Sequence, residues 1–126
     1  MLDKQETILI VEDEITLNEL ICKKFESDGF LMLEAKNGEE GLKIALSSRP
    51  DIILLDIVMP VMDGITMLEK LREDEWGKNA KVIMLTNLND SERVATAMTR
   101  GSYDYLVKCD WTIEDIVKKV REKLRS

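Results

Sequence analysis

Five short, uninterrupted apolar runs alternate with longer mixed segments along this chain of 126 residues. Apolar runs that are bounded by polar residues or Gly are typical of strands buried on both faces of a parallel sheet. Strands that alternate with helices along one chain predict an α/β domain with a single parallel sheet. The five predicted strands are residues 8–11, 30–33, 52–55, 82–85 and 105–107.

The segments between these runs carry helix signals, such as capping residues at their beginnings and Gly or Pro at their ends. The first helix is predicted to bury Leu17, Leu20, Ile21 and Phe25. Repeated strand–helix units imply right-handed crossovers and helices on both faces, which is a doubly wound (βα)5 fold. No linker interrupts the units, so residues 1–126 are predicted to form one domain. The predicted helices are about residues 14–28, from Asn37 up to Pro50, from about residue 64, about residues 90–101, and from Thr112.

Composition excludes several classes of function. The chain has no histidine, which excludes a histidine-based metal site and a Ser-His-Asp triad. Its net charge of −7 argues against direct binding to nucleic acid or to an anionic membrane surface. The two cysteines, Cys22 and Cys109, indicate no disulfide framework and fit a reducing compartment. We therefore expect a cytoplasmic protein that makes no membrane contact.

A polar side chain follows each of the five apolar runs, and the second run is followed by Glu34. Glu12 and Asp13 come after the first run, Asp56 after the third, Thr86 after the fourth and Lys108 after the fifth. Ligands of open parallel sheets bind beyond the carboxyl ends of the strands. If the first and third strands are neighbours, three carboxylates converge, and a hard cation such as Mg²⁺ would relieve their repulsion. Lys108 could pair with a phosphoryl oxygen, and Thr86 adds a hydroxyl donor. This set suits phosphoryl transfer with Asp56 as the nucleophile.

Each of these residues also has an ordinary structural interpretation. An Asp that ends a strand is usually a turn former or a helix cap, and a Lys there is usually solvated. Thr is a good strand residue, and Cys22 is expected to be ordinary helix packing. The phosphoryl-transfer interpretation is favoured because all of these positions fall at one edge of one sheet and form a compatible chemical set.

The chain resembles the receiver domain of two-component response regulators over essentially its whole length. The strongest part is Ile-Ile-Leu-Leu-Asp-Ile-Val-Met-Pro-Val-Met-Asp-Gly at residues 52–64, which is similar to the family's phosphoacceptor strand and the loop after it. Residues 11–14 resemble the acidic metal-binding motif, residues 85–87 the switch threonine position, and residues 104–108 the end of the fifth strand. The resemblance implies a flavodoxin-like sheet with strand order 2-1-3-4-5.

The resemblance also implies roles for the acidic residues. Asp56 would accept a phosphoryl group from a sensor histidine kinase or a phosphotransfer protein. Asp13 and Asp56 would bind Mg²⁺ directly, the backbone carbonyl of Val58 would supply a third ligand, and Glu12 would act through water. The chain would be a phosphorylation-controlled switch rather than an enzyme on an external substrate.

The same resemblance implies how the switch would work. Thr86 would move toward the phosphoryl group, and Tyr105 would turn inward behind it. The surface formed by the fourth helix, the fifth strand and the fifth helix would then change for a downstream protein or an output domain. The chain would be a monomer or a phosphorylation-dependent homodimer, and this domain would not bind nucleic acid itself.

Three features depart from the family pattern. Cys109 stands where most receivers have Pro after the lysine of the fifth strand, and a non-proline cis bond there would cost about 2.5–4 kcal/mol. Asn87 stands where Ala, Gly or Ser is usual. Val94, Thr99 and Tyr103 stand where the winged-helix subfamily has charged dimer residues, so we expect that dimer to be absent.

Two alternatives remain open from the sequence. One is a degenerate receiver that binds partners without phosphorylation. The intact set of Asp56, Thr86 and Lys108 argues against it, whereas Cys109 and Asn87 keep it open. The other is an aspartyl phosphatase, which usually has a second Asp two residues after the nucleophile. That position holds Val58, so the phosphatase is the weaker alternative.

Overall fold

A computed structural model describes residues 5–86, 104–107 and 112–125 of the chain. Three helices and a short 3-10 turn separate the first four strands: α1 Ile15–Ser27, α2 Gly38–Ser48, α3 Gly64–Arg72 and the turn Gly77–Asn79. The C-terminal helix, Ile113–Leu124, closes the described part of the chain. The strands are β1 Thr7–Val11, β2 Leu31–Ala35, β3 Ile52–Asp56, β4 Val82–Thr86 and β5 Asp104–Val107.

The strands form one parallel sheet with the order β2-β1-β3-β4-β5. This confirms the predicted α/β architecture and strand order. Because β1 and β3 are direct neighbours and Val11 pairs with Leu55, the residues that follow these two strands emerge side by side. The sheet therefore places the carboxyl end of β3 at its centre.

Two apolar layers cover the two faces of the sheet, because successive side chains of a strand point to opposite faces. Ile53 and Leu55 of β3 pack into the layer that α2 and α3 cover, through residues such as Met67. Ile52 and Leu54 pack into the opposite layer, which α1 and the C-terminal helix cover. Side chains on both faces are fully buried along β3, as the uninterrupted apolar run predicts.

Capping residues set the beginnings of two helices where the sequence predicts them. The Asn37 side chain accepts the Glu40 N–H at 2.9 Å at the start of α2. Thr112 and Asp115 form a reciprocal capping box at the start of the C-terminal helix, with bonds of 2.8 and 3.3 Å. Such caps satisfy backbone N–H groups that have no partner within the helix. The predicted helix at about residues 90–101 lies outside the described residues.

Two predictions about burial are wrong. Leu20 is 55% exposed, because α1 turns the face that carries Asn18, Ile21 and Phe25 toward the sheet. Leu31 is 50% exposed, because β2 is an edge strand with only one neighbour, so it is not buried on both faces.

Candidate functional site

Three carboxylates meet at the carboxyl edge of the sheet. Glu12 and Asp13 follow β1, and Asp56 is the last residue of β3. Each contributes a carboxylate oxygen to a group whose members all lie within 4.8 Å of one another. Glu12 and Asp56 are buried, at 1% and 3% exposure, whereas Asp13 is open to solvent. The convergence predicted from the sequence is therefore present in the structure.

The backbone around Glu12 is fixed by hydrogen bonds to three other residues. The Glu12 N–H donates to the Ala35 carbonyl of β2 at 3.0 Å. The Glu12 carbonyl accepts the Asn18 Nδ2 of α1 at 3.0 Å. One carboxylate oxygen of Glu12 accepts the Glu14 N–H at 3.1 Å. This turn between β1 and α1 is thus held by the adjacent strand, by the helix and by its own side chain.

The Asp56 backbone is covered tightly by the first residue of α3. A Cβ on Gly64 would overlap the Asp56 carbonyl oxygen, so only Gly allows α3 to begin this close to the strand. The Gly64 N–H donates to the Ile57 carbonyl at 2.8 Å, and Asp63 caps α3 by accepting the Thr66 N–H at 2.8 Å. The end of β3 and the start of α3 are therefore held in direct contact.

The loop between β3 and α3 carries exposed apolar residues beside the acidic group. Val58, two residues after Asp56, is 47% exposed, and Val61 is 76% exposed. Val61 has a φ of 69°, a left-handed conformation that is unfavourable for a β-branched residue. The loop is also tied to α2, because the Gly38 N–H donates to the Met62 carbonyl at 2.8 Å.

The structure describes the remaining predicted site residues only in part. The Thr86 backbone ends β4 and pairs with Val107 of β5, and the Tyr105 backbone pairs with Met84. The ends of β4 and β5 therefore lie at the same edge of the sheet as Asp56. Lys108, Asn87 and Cys109, and the side chains of Thr86 and Tyr105, lie outside what the structure describes, so their roles stay predictions.

The sequence interpretation missed Asn18. Its side chain is 5% exposed and reaches the Glu12 carbonyl. The signal was present in the sequence, because Asn18 stands three, four and seven residues before Ile21, Cys22 and Phe25. A polar residue at that spacing falls on the apolar face of the helix.

The donor set fits Mg²⁺. Hard divalent cations prefer oxygen ligands, and Mg²⁺ typically takes one or two carboxylates while keeping several waters. Oxygens of Glu12, Asp13 and Asp56 that lie within 4.8 Å of one another can share one such ion, directly or through water. The acidic group can therefore bind a metal beside the buried Asp56 carboxylate.

The response regulator receiver domain family matches residues 8–121. The chain belongs to this family. Receiver domains act as signalling switches of two-component systems rather than as enzymes on external substrates. No helix in the described ranges of this receiver domain is both long enough and apolar enough to cross a membrane.

Known proteins support this assignment. The receiver domain is 33% identical over 118 residues to the DNA-binding dual master transcriptional regulator RpaA of Synechocystis, covering 94% of this chain and 48% of RpaA. It spans about half the length of the curated relatives it matches. A CheY-like response regulator receiver domain protein from Methanospirillum hungatei superposes with a TM-score of 0.89 at 27% identity, covering 97% of this chain and 95% of that one.

A third similar protein was solved with ligands. It is part of the CheX–CheY–BeF3–Mg²⁺ complex from Borrelia burgdorferi, and it superposes with a TM-score of 0.82 at 32% identity. The match covers 93% of this chain and 87% of that one.

Proposed function

We propose that residues 1–126 form one receiver domain that accepts a phosphoryl group on Asp56 in a Mg²⁺-dependent reaction. The observation that carries the proposal is the group of three carboxylates, in which the buried Asp56 ends the central strand. The donor is a phosphohistidine of a sensor histidine kinase or of a phosphotransfer protein. The protein is cytoplasmic, and it is a monomer or a phosphorylation-dependent homodimer.

The reaction is a displacement at phosphorus. A carboxylate oxygen of Asp56 attacks the phosphorus, the P–N bond to the donor imidazole breaks, and that nitrogen keeps the electron pair. The Lys108 ammonium pairs with the transferred phosphoryl oxygens, and the Thr86 hydroxyl then binds one of them. Bound beside Asp56, the metal ion supplies positive charge that offsets the charge of the phosphoryl group.

The metal site is assigned to four residues. Asp13 and Asp56 bind the ion through their carboxylates, the Val58 backbone carbonyl supplies another oxygen, and Glu12 acts through water. The burial of Glu12 and its fixed backbone support this indirect role, because its carboxylate is held in place by the Glu14 N–H. In the BeF3–Mg²⁺ complex of the Borrelia protein, a phosphoryl mimic and the metal are present together, which is the combination that we propose for this site.

Phosphorylation acts on partners through a change of surface. Thr86 moves toward the phosphoryl group, and Tyr105 turns inward, which alters the surface of the fourth helix, the fifth strand and the C-terminal helix. The partner is a downstream protein or an output domain. Relatives such as RpaA, which is named as DNA-binding, are about twice as long as this chain, which supports an output domain as the partner.

Intact-mass analysis after incubation with acetyl phosphate and Mg²⁺ tests the proposal. We expect the wild-type chain to gain one phosphoryl group, and we expect no gain without Mg²⁺ or in Asp56→Ala. Asp51→Ala is the matched control, because Asp51 precedes the same strand at its other end, where it accepts the Thr7 N–H at 2.7 Å. This control should still be phosphorylated.

Two results would contradict the proposal. An adduct that survives in Asp56→Ala would assign the nucleophile elsewhere. A wild-type chain that gains no phosphoryl group and binds no beryllofluoride with Mg²⁺ would favour the alternative, a receiver that binds partners without phosphorylation.

A further inference from the structure

Asn18 is a buried polar residue that the phosphoryl-transfer chemistry does not use. Among the side chains that the structure describes, the buried polar or charged ones are Glu12, Asn18 and Asp56. Two of these belong to the acidic group, and Asn18 lies on the apolar face of α1. Burying an amide in an apolar layer is unfavourable unless both of its ends find partners. Its partners therefore indicate what it does there.

Both ends of the Asn18 amide are engaged. Its Nδ2 donates to the Glu12 carbonyl at 3.0 Å. Its Oδ1 accepts the Cys22 thiol at 3.5 Å, one helical turn further along α1. A carbonyl oxygen can only accept hydrogen bonds, so the nitrogen of the amide must be the atom that faces Glu12. The hydrogen bond from the Cys22 thiol to the amide oxygen agrees with this orientation of the Asn18 side chain.

Asn18 bonds to Glu12, which connects β1 to the acidic turn at residues 12–14. The Glu12 N–H is held by Ala35 on β2, and the Glu12 side chain is held by Glu14. Without Asn18, the Glu12 carbonyl would lose the hydrogen bond that the Asn18 side chain of α1 donates to it. Carboxylates that lie this close repel one another, and this repulsion favours outward movement of the exposed Asp13.

We propose that Asn18 is a positioning residue for the metal site. It holds the turn at residues 12–14 so that the Glu12 and Asp13 carboxylates stay beside Asp56, and Cys22 orients its amide. The metal part of this inference rests on the proposed function. The positioning of the turn is a property of the metal-free chain and can be measured separately.

Asn18→Leu tests the metal part, because Leu has a similar size and lacks both polar groups. Loss of a supporting hydrogen bond around a metal site typically weakens metal binding about 10-fold to 100-fold. We expect the Mg²⁺ Kd from calorimetry to rise at least about tenfold. Cys22→Ala should raise the Kd less, because the Asn18 donor remains.

Val120→Ala is the control for general destabilisation. Val120 is fully buried in the same apolar layer but belongs to the C-terminal helix, away from the acidic turn. Its Mg²⁺ Kd should equal that of the wild type even though the fold is less stable. An unchanged Kd in Asn18→Leu, or an equal rise in Val120→Ala, would overturn the metal part of the inference.

Amide hydrogen exchange in the absence of metal tests the positioning itself. In Asn18→Leu we expect the amides of residues 12–14 to exchange at least about tenfold faster relative to those of Ile21 and Phe25 in the same helix. An equal change at all of these amides would mean that Asn18 only stabilises α1, and the positioning role would be wrong. If the wild type binds no Mg²⁺, the proposed function fails, and the exchange result alone decides whether Asn18 positions the turn.

Discussion

Charged side chains are arranged differently at the two edges of the sheet. At the amino edge, charged side chains bind backbone groups. The Asp51 carboxylate accepts the Thr7 N–H at 2.7 Å, and the Lys81 ammonium donates to the Leu124 carbonyl at 3.1 Å. These bonds join the beginnings of strands to neighbouring segments, so the charges at the amino edge stabilise the fold.

At the carboxyl edge, like charges are brought together. Glu12, Asp13 and Asp56 place carboxylate oxygens within 4.8 Å of one another, although separating them would reduce their repulsion. Folding alone does not require this arrangement, since β1 and β3 would pair equally well with neutral residues at their ends. The comparison indicates that the amino edge stabilises the fold, whereas the carboxyl edge has a donor set that can bind a metal ion.

The largest loss of stability should come from adding a methyl group at Gly64 or at Gly77. A Cβ on Gly64 would overlap the Asp56 carbonyl, and a Cβ on Gly77 would overlap the Leu71 carbonyl. We expect Gly64→Ala and Gly77→Ala each to lower the free energy of unfolding by about 3 kcal/mol, the upper part of the range for overpacking. Denaturant unfolding measures this loss.

The affinity for Mg²⁺ should differ between Gly64→Ala and Gly77→Ala. Only Gly64→Ala should also weaken Mg²⁺ binding, because it displaces the backbone of Asp56. If Gly77→Ala weakened Mg²⁺ binding as much at equal stability, the two edges would not be independent.

A smaller effect is expected from the metal itself. Mg²⁺ at one hundred times its Kd should raise the free energy of unfolding of the wild type by about 2.7 kcal/mol. Asp56→Asn should lose most of this gain. Asp51→Ala should keep this gain while lowering the metal-free stability by about 1 kcal/mol, the usual net contribution of a hydrogen bond, because Ala cannot accept the Thr7 N–H. Thermal or denaturant unfolding with and without Mg²⁺ gives these values, and an equal gain in Asp56→Asn would remove this residue from the metal site.

The smallest predicted change in stability comes from ionisation of the Cys22 thiol, which contacts Asn18. Burial, followed by the nearby Glu34 carboxylate, raises the pKa of the Cys22 thiol from 9.0 to about 12. Because the folded state holds this proton more tightly than the unfolded state, the thiol's contribution is complete below pH 9 and is lost as the pH rises toward 12. One pH unit above 9, we expect a loss of about 1 kcal/mol or less relative to Cys22→Ala.

Unfolding of both chains across this pH range measures the difference, with Cys109→Ser in each so that Cys22 is the only thiol that can titrate. Parallel pH curves for the two chains would show that Cys22 ionises as readily in the fold as in the unfolded chain.

The sequence predicted the position of Asp56 for a simple reason. An apolar run marks a buried strand, its last residue marks the carboxyl end, and parallel strands bring these ends to one edge. The same reasoning placed Glu12 and Asp13 correctly. These predictions need only the period of the pattern and the direction of the strands.

The details that depend on neighbouring elements could not be read in this way. Leu20 looked like a core residue because it was assigned to the same apolar face of the helix as Leu17, Ile21 and Phe25. The rotation of α1 against the sheet decides which of these residues face inward, and Leu20 does not. Leu31 sits in an apolar run, yet the edge position of β2 leaves it half exposed. The burial of Asn18 could have been read from its spacing in α1, but its hydrogen bond to the Glu12 carbonyl, six residues earlier, forms only after α1 packs.

The complete burial of β3 has a consequence for how a signal could leave the site. All five residues of this strand are buried, and it is paired with β1 on one side and β4 on the other. Because protein interiors are close-packed, a shift of β3 would disturb the packing of both apolar layers. A spectroscopic probe attached along β3 would therefore report little movement. A probe in the loop after β3, at the exposed Val58 or Val61, would lie where the backbone has room to move.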